Sequence, residues 1–273
     1  MKLNIEFLKE LYKKIQENEI TARGAQLSFY FILSVFPFLI FLITLIDYTP
    51  LSRHDFLEQL SMLLPEATFA IVFRIISEVA EADNFKFFSF GILATIWTGS
   101  RGITGLIRSI NKAYNFTEIR SFFKMNALGV LATLCMALVT LFTFIFLVFG
   151  KVIGQLALEY LGLGDNYYLL WTILRYAIPI LIISLNFTLL FLYSPNYPLK
   201  LRHIYPGVLF STLAWITASQ AFAFYVNNFG NYSRTYGSIS GIIVFMLWFY
   251  ISSVVVLFGG SINATLSKNL HRY

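Results

Sequence analysis

The chain has 273 residues, of which 58% are hydrophobic, 18% aromatic and 12% charged, with a mean hydropathy of +0.70. Soluble domains carry roughly 25% charged residues, so a water-soluble fold is excluded, and the length leaves room for one membrane domain and no second fold. A formal net charge of +6 would suit nucleic acid, but the charges are placed as anionic lipid would require; the single cysteine, Cys135, excludes an intramolecular disulfide or a Cys-rich metal site.

Leu8, Leu11, Tyr12 and Ile15 recur at helical spacing beside Lys9, Lys13 and Lys14, the pattern of a short helix lying on a membrane surface with its lysines toward headgroups. Met1–Arg23 is charged and amphipathic rather than an apolar signal core, so the first hydrophobic run is expected to stay as an anchor. A bilayer core takes about 20 apolar residues per helix. Residues 24–46 are free of charge and form the first expected span, with a kink expected at Pro37. Residues 52–81 differ in character. Phe56, Leu60, Leu63 and Leu64 make one apolar stripe, and Phe69, Val72, Phe73, Ile76 and Val79 make another, both interrupted by acids. Two external amphipathic helices capping the bundle are expected there, with Pro65 suited to the first turn of the second. Further spans are expected at 87–108, 125–150, 168–193, 205–228 and 236–266. The last two fall in the uncharged runs Ile204–Ser233 and Thr235–Ser267, 30 and 33 residues long. The expected fold is therefore all-α: a polytopic membrane protein, 1–273 in a single domain, with six transmembrane helices plus amphipathic helices at the N-terminus and in the first external segment.

Lysine and arginine counts set the orientation. With 1–23 as a cytoplasmic surface helix, one side carries Lys2, Lys9, Lys13, Lys14, Arg23, Arg108, Lys112, Arg120, Lys124, Lys200, Arg202, Lys268 and Arg272. The other side carries Arg53, Arg74, Lys86, Lys151 and Arg234, so the bias is thirteen against five. Both termini are expected in the cytoplasm.

An ionisable side chain inside lipid costs about 2.5–3.5 kcal/mol on insertion scales and usually faces the bundle interior or a cavity. Arg101 is such a residue, about two turns from the cytoplasmic end of the second span. Trp97, Thr98, Gly99, Ser100 and Gly102 surround it with small and polar groups. Arg101, Gly105 and Arg108 share one helix face, and Gly102 and Gly105 are expected to clear space around the guanidinium. A basic pocket for an anionic headgroup is one reading; snorkelling to the interface, or a bond to a helix C-terminus, is the other. Arg175 lies nearer the outer surface and is expected to snorkel.

Gly237 and Gly241 open the last span as a small-xxx-small pair, and Gly259 and Gly260 recur near its other end. Such residues let helices approach closely, so helix packing is the expected role. Asn186 and Asn263 stand in apolar runs and need partners. His54, His203 and His271 show no ligand spacing to a second His, Cys or acid, and no expected span contains Asp or Glu. Neither a metal, a cofactor nor enzymatic chemistry is expected.

Several stretches together resemble the YihY/BrkB family of bacterial inner-membrane proteins. They are Ala25–Tyr30 through Ser34-Val35-Phe36-Pro37, Trp97 through Arg101-Gly102, Ile110–Tyr114, Tyr236-Gly237-Ser238 through Trp248, and Gly259–Asn263. The resemblance covers nearly the whole chain in order, and it implies six spans in a bacterial cytoplasmic membrane. Some members bear a ribonuclease name; others are connected with envelope lipids or serum resistance. Metal-dependent RNA cleavage wants clustered acids, whereas Glu6, Glu10, Glu17 and Glu19 lie on one short helix and Glu118 stands apart. The leading expectation is a transporter or flippase for an anionic amphiphile or membrane lipid, with Arg101, Arg108, Ser100, Trp97 and Asn263 as candidate contacts and no nucleic-acid partner. The alternatives are a non-transporting envelope scaffold and, last, a membrane-bound ribonuclease.

Overall fold

The structure, a computed structural model, describes residues 5–46, 84–139, 168–229 and 239–267, together with isolated positions between 57 and 77. Most of the two stripes expected at 52–81 thus lies outside the described residues, as do 140–150, Gly237 and the side chain of Arg175. The described residues are helical throughout their regular parts. The helices are α1 (Ile5–Glu17), α2 (Ile20–Ile46), α3 (Asn84–Ala113), α4 (Phe122–Val139), α5 (Tyr168–Tyr193), α6 (Leu201–Phe229) and α7 (Ser240–Leu266). By length and apolarity, α4, α6 and α7 suffice to cross a bilayer. Pro37, Pro179 and Pro206 lie inside α2, α5 and α6, and the helix continues through each; in lipid, neighbouring helices can satisfy the backbone groups a proline frees.

α1 packs through Leu11, and its Lys14 Nζ donates to the Ala113 carbonyl at 2.8 Å. That bond satisfies one of the orphan carbonyls at the end of α3. Ile5, Leu8 and Tyr12 stay exposed on another face of α1. The chain then turns at Asn18 and Glu19, the latter at φ +50, and enters α2.

Neighbouring helices alternate in direction. Arg23 of α2 reaches Ser109 of α3, while Phe31 lies on Gly102, so α2 and α3 are antiparallel. α4 returns along α3, with Gly129 against Thr104 and Thr133 against Gly99. α6 runs antiparallel to α7 through Gly207 against Asn263, Phe210 against Phe258 and Trp215 against Ser252. Ser184 of α5 meets Thr212 of α6. One end of the bundle therefore gathers α1, the last turns of α3, α5 and α7, and the first turns of α2, α4 and α6. The main buried core lies toward this end, with Ile110, Tyr114, Phe191, Ile204, Leu257 and Ala264 among its members. α7 sits at the centre, packed on α1, α2, α3 and α6.

The crossing of α6 and α7 is the tightest feature of the bundle. A Cβ added at Gly207 would overlap the Gly259 carbonyl and the Asn263 amide, and one at Gly259 would overlap the Ser211 hydroxyl. Only glycine lets the two backbones meet here, and Gly207 with Ser211 gives α6 a small-xxx-small face toward Gly259. Asn263 is 0% exposed, and its Oδ1 accepts the Gly207 N–H at 2.6 Å. On the adjacent flank Gly260 rests against Ile110 of α3 and Phe191 of α5. Gly241, at the far end of α7, is also buried.

Candidate functional site

Arg101 stands on the exposed stripe of α3, between the flank covered by α2 and the flank covered by α4. Trp97 is 63% exposed, Arg108 and Lys112 are exposed, and Arg101 itself is half-buried. The guanidinium carbon lies 4.7 Å from the centroid of the Trp97 ring. A helix places residues four apart over one another, so the ring becomes a platform that fixes the charge by a cation–π contact. Arg108 and Lys112 continue the stripe toward the end of the bundle that holds α1. The result is a line of positive heads beginning at a half-buried, aromatic-backed guanidinium.

The glycines beside Arg101 do something other than clear space for it. A Cβ at Gly102 would come within 2.7 Å of the Phe31 ring, and one at Gly105 within 3.0 Å of Leu27. Both glycines admit α2, because α3 must present a smooth surface to the aromatic and leucine knobs of its neighbour. Ser100 points away from the arginine: it is buried, and its Oγ donates to the Trp97 carbonyl at 2.9 Å. Thr104 repeats the arrangement one turn on, donating to the Ser100 carbonyl at 2.6 Å. Bonds to the preceding turn let small hydroxyls sit in apolar surroundings at little cost. Asn263 does not join this group, since it faces Gly207 on α6 while Arg101 lies on the side of α3 opposite Ile110, which meets α7. Asn186 is half-buried on α5.

A second polar constellation, not expected from the sequence, occupies the end of the bundle. Asn111, 1% exposed, donates through Nδ2 to Glu118 Oε2 at 2.8 Å and accepts the Asn196 N–H on Oδ1 at 2.9 Å. Asn196 Nδ2 donates to the Thr117 carbonyl at 2.7 Å. Arg120 donates to the carbonyls of Tyr193, Ser194 and Pro195 at 3.2, 3.0 and 2.9 Å. Glu118 Oε1 in turn accepts the Arg120 N–H at 3.0 Å. The guanidinium thereby caps the C-terminus of α5, where unsatisfied carbonyls carry partial negative charge. Beside it Phe116 stacks between Tyr114 and Tyr197, at 5.6 and 5.9 Å between ring centroids. This knot ties the α3–α4 turn to the α5–α6 turn. The signal for it in the sequence was Asn111 itself, a costly amide on an otherwise apolar helix face.

Two groups at this end titrate away from their ordinary values. Burial raises the Tyr114 phenol well above its usual range, and the Ser267 hydroxyl beside it acts in the opposite direction. Burial and then the charges of Arg202 and Lys200 lower the His203 imidazole. His203 Nε2 accepts the Arg202 Nε–H at 3.0 Å.

The chain matches the family described as Virulence factor BrkB over residues 11–272. It is 40% identical to the ribonuclease-like protein YfkH of Bacillus subtilis over 262 residues, 96% of this chain and 95% of that protein. It is 24% identical to a UPF0761 membrane protein of Alteromonas mediterranea over 262 residues, 94% of this chain and 86% of the relative. A UPF0761 membrane protein of Tolumonas auensis is likewise 24% identical over 264 residues, 94% of this chain and 84% of its own length. No solved structure matches.

Proposed function

The chain belongs to the Virulence factor BrkB family of membrane proteins, and from that premise we propose that it is a transporter or flippase for an anionic amphiphile, with a membrane lipid as substrate. The observation that carries the reading is the cation stripe. Arg101 is held 4.7 Å over Trp97, and Arg108 and Lys112 follow on the same exposed face. A planar guanidinium with five donors suits a phosphate or carboxylate, and a headgroup could pass from Arg108 to Arg101 along one helix while its acyl chains stay in lipid. The proposal includes six spans in a bacterial cytoplasmic membrane. It places the end that carries Lys9, Lys13, Lys14, Arg23, Lys112, Arg120, Lys124, Lys200 and Arg202 on the cytoplasmic side, as the positive-inside rule favours.

The ribonuclease-like name of the Bacillus relative does not transfer easily. Glu118 already spends both carboxylate oxygens on Asn111 and the Arg120 N–H, and Lys13 pairs with Glu17 at 3.5 Å. Among the described residues no group of three or more His, Cys, Asp or Glu is gathered to hold a cation for phosphodiester cleavage.

The test is lipid movement in proteoliposomes containing purified protein and a headgroup-quenchable fluorescent anionic lipid. The proposal expects protein-dependent exchange between leaflets that falls in Arg101→Ala and is partly retained in Arg101→Lys, with the zwitterionic analogue moved more slowly. Exchange no faster than in protein-free vesicles, or equal exchange by the Ala variant, removes it.

A further inference from the structure

α1 presents surfaces of three kinds besides the one that holds it to the bundle. Leu11 is buried on the bundle side, and Lys14 reaches the Ala113 carbonyl from that side. Successive residues of a helix turn by about 100°, which fixes what lies around the rest of the cylinder. On one flank come Leu8, Tyr12 and Ile5, which are 54, 65 and 70% exposed. Next in rotation, on the side away from the bundle, stand the exposed Lys9 and Lys13. Glu6, Glu17 and Glu10 occupy the opposite flank.

The order apolar, basic, acidic around one helix is the order a headgroup layer selects. Apolar side chains enter the acyl boundary, lysines keep their stems in the apolar layer and their heads on lipid phosphates, and acids stay in water. The layer is marked at this level by other residues. Tyr193 at the end of α5, Tyr205 near the start of α6 and Phe122 at the start of α4 are all exposed, and aromatic rings collect where hydrocarbon meets headgroups. They share with α1 the same end of the bundle. The corner after α1 ties its position to its neighbours. The Asn18 carbonyl accepts the Arg23 Nε–H at 3.0 Å, and the same guanidinium donates to Ser109 Oγ of α3 at 3.4 Å.

We propose that α1 is a second lipid contact, separate from the Arg101 stripe. Ile5, Leu8 and Tyr12 seat in the headgroup layer at this end of the bundle, and Lys9 and Lys13 make the seat depend on anionic lipid. Each cation near an anionic surface adds to the attraction. Lys13 pairs with Glu17 at 3.5 Å, but an ion pair so exposed is weak and yields to a phosphate. The acids on the far flank leave the helix one way to lie. The contact stands whether or not the chain moves lipid.

The test uses the full chain in a Cys135→Ser background, reconstituted in bilayers of phosphatidylcholine alone or mixed with anionic phosphatidylglycerol. A nitroxide is attached at Leu8→Cys or at Glu6→Cys. Its collisions with oxygen, which concentrates in hydrocarbon, are compared with its collisions with a neutral, water-soluble nickel chelate. The oxygen-to-nickel ratio at Leu8→Cys should exceed that at Glu6→Cys several-fold and should rise further in the mixed bilayer. Lys9→Gln together with Lys13→Gln should remove that rise and leave the ratio in phosphatidylcholine unchanged. A label at Leu8→Cys as open to nickel as one at Glu6→Cys overturns the seat and leaves the flank to a soluble partner. A label shielded from both reagents overturns it in favour of a protein neighbour. Equal ratios in the two bilayers overturn the dependence on anionic lipid. If the label at Leu8→Cys lowers the melting temperature of the chain, Ile5→Cys on the same flank decides by the same criteria.

Discussion

Arg101 rests on an aromatic face, whereas Arg23 and Arg120 are tied to main-chain carbonyls. The difference decides what each can do. A guanidinium satisfied by carbonyls is structural glue, but one satisfied by a ring retains its in-plane donors for a ligand. Trp97→Leu should therefore weaken binding of an anionic lipid by a few-fold to about thirtyfold, the span that about 0.5–2 kcal/mol represents. Native mass spectrometry of lipid adducts reads this, and unchanged binding would show that the ring is only a neighbour. A second residue-scale prediction concerns His203. Its pKa is lowered in the folded chain, so the neutral form is the one the fold favours. Stability is fully present above the unfolded value of about 6.5 and is lost as pH falls below it, toward the depressed folded value. Melting temperature should thus drop between pH 7.5 and 5.5, and His203→Gln should flatten that dependence. Of the residues at this scale, Arg101 was legible in the sequence because charge in an apolar run is conspicuous. The use of Gly102 and Gly105 was not, since a glycine's neighbours on another helix leave no mark in its own segment.

Elements follow the sequence more closely than sites do. Long uncharged runs forced helices because no other local structure satisfies the backbone in lipid, and α6 and α7 occupy the stretches where the longest of those runs stand. The polar knot escaped the same logic. Most of its members lie in turns without periodicity, and Asn111, on α3, is 85 positions from the Asn196 N–H it accepts. Only the fold could pair them. At the α6–α7 seam the physical demand is instead steric, and it can be tested there. Gly259→Val would drive a branched side chain into the Ser211 hydroxyl, and overpacking of this kind costs about 1–3 kcal/mol. At roughly 2–4 °C per kcal/mol for a chain of this size, a melting temperature lowered by several degrees is expected. Asn263→Ala should cost less, about 0.6–1.7 kcal/mol for an interhelical bond in a membrane. A Gly259→Val protein as stable as the parent would mean the helices do not meet here.

Several cations of the described residues share one end of the molecule: Lys14 on α1, Lys112 and Arg120 around the α3–α4 turn, and Lys200 and Arg202 at the start of α6. A cytoplasmic placement of this end predicts the outcome of thiol scanning in a Cys135→Ser background. An impermeant reagent added to intact cells should label Asp55→Cys and Asp165→Cys and leave Ser121→Cys untouched. Labelling of Ser121→Cys from outside would invert the orientation. At this scale the counts along the chain set an expected direction, which the thiol scan tests. They are silent about which helix is central.

That helix is α7, and among the described helices it is made after the others. α1, α2, α3 and α6 all pack on it, so during synthesis these segments leave the ribosome before the surface they need exists. Gly24 must wait for Val254, Ile110 for Gly260 and Gly207 for Gly259. Until then the small residues on α2, α3 and α6 face lipid or one another. The order of birth thus delays the closing of this part of the bundle until α7 emerges: a ribosome that stops before Ser240 leaves behind helices without their common partner, with Gly24 and Gly207 facing no α7.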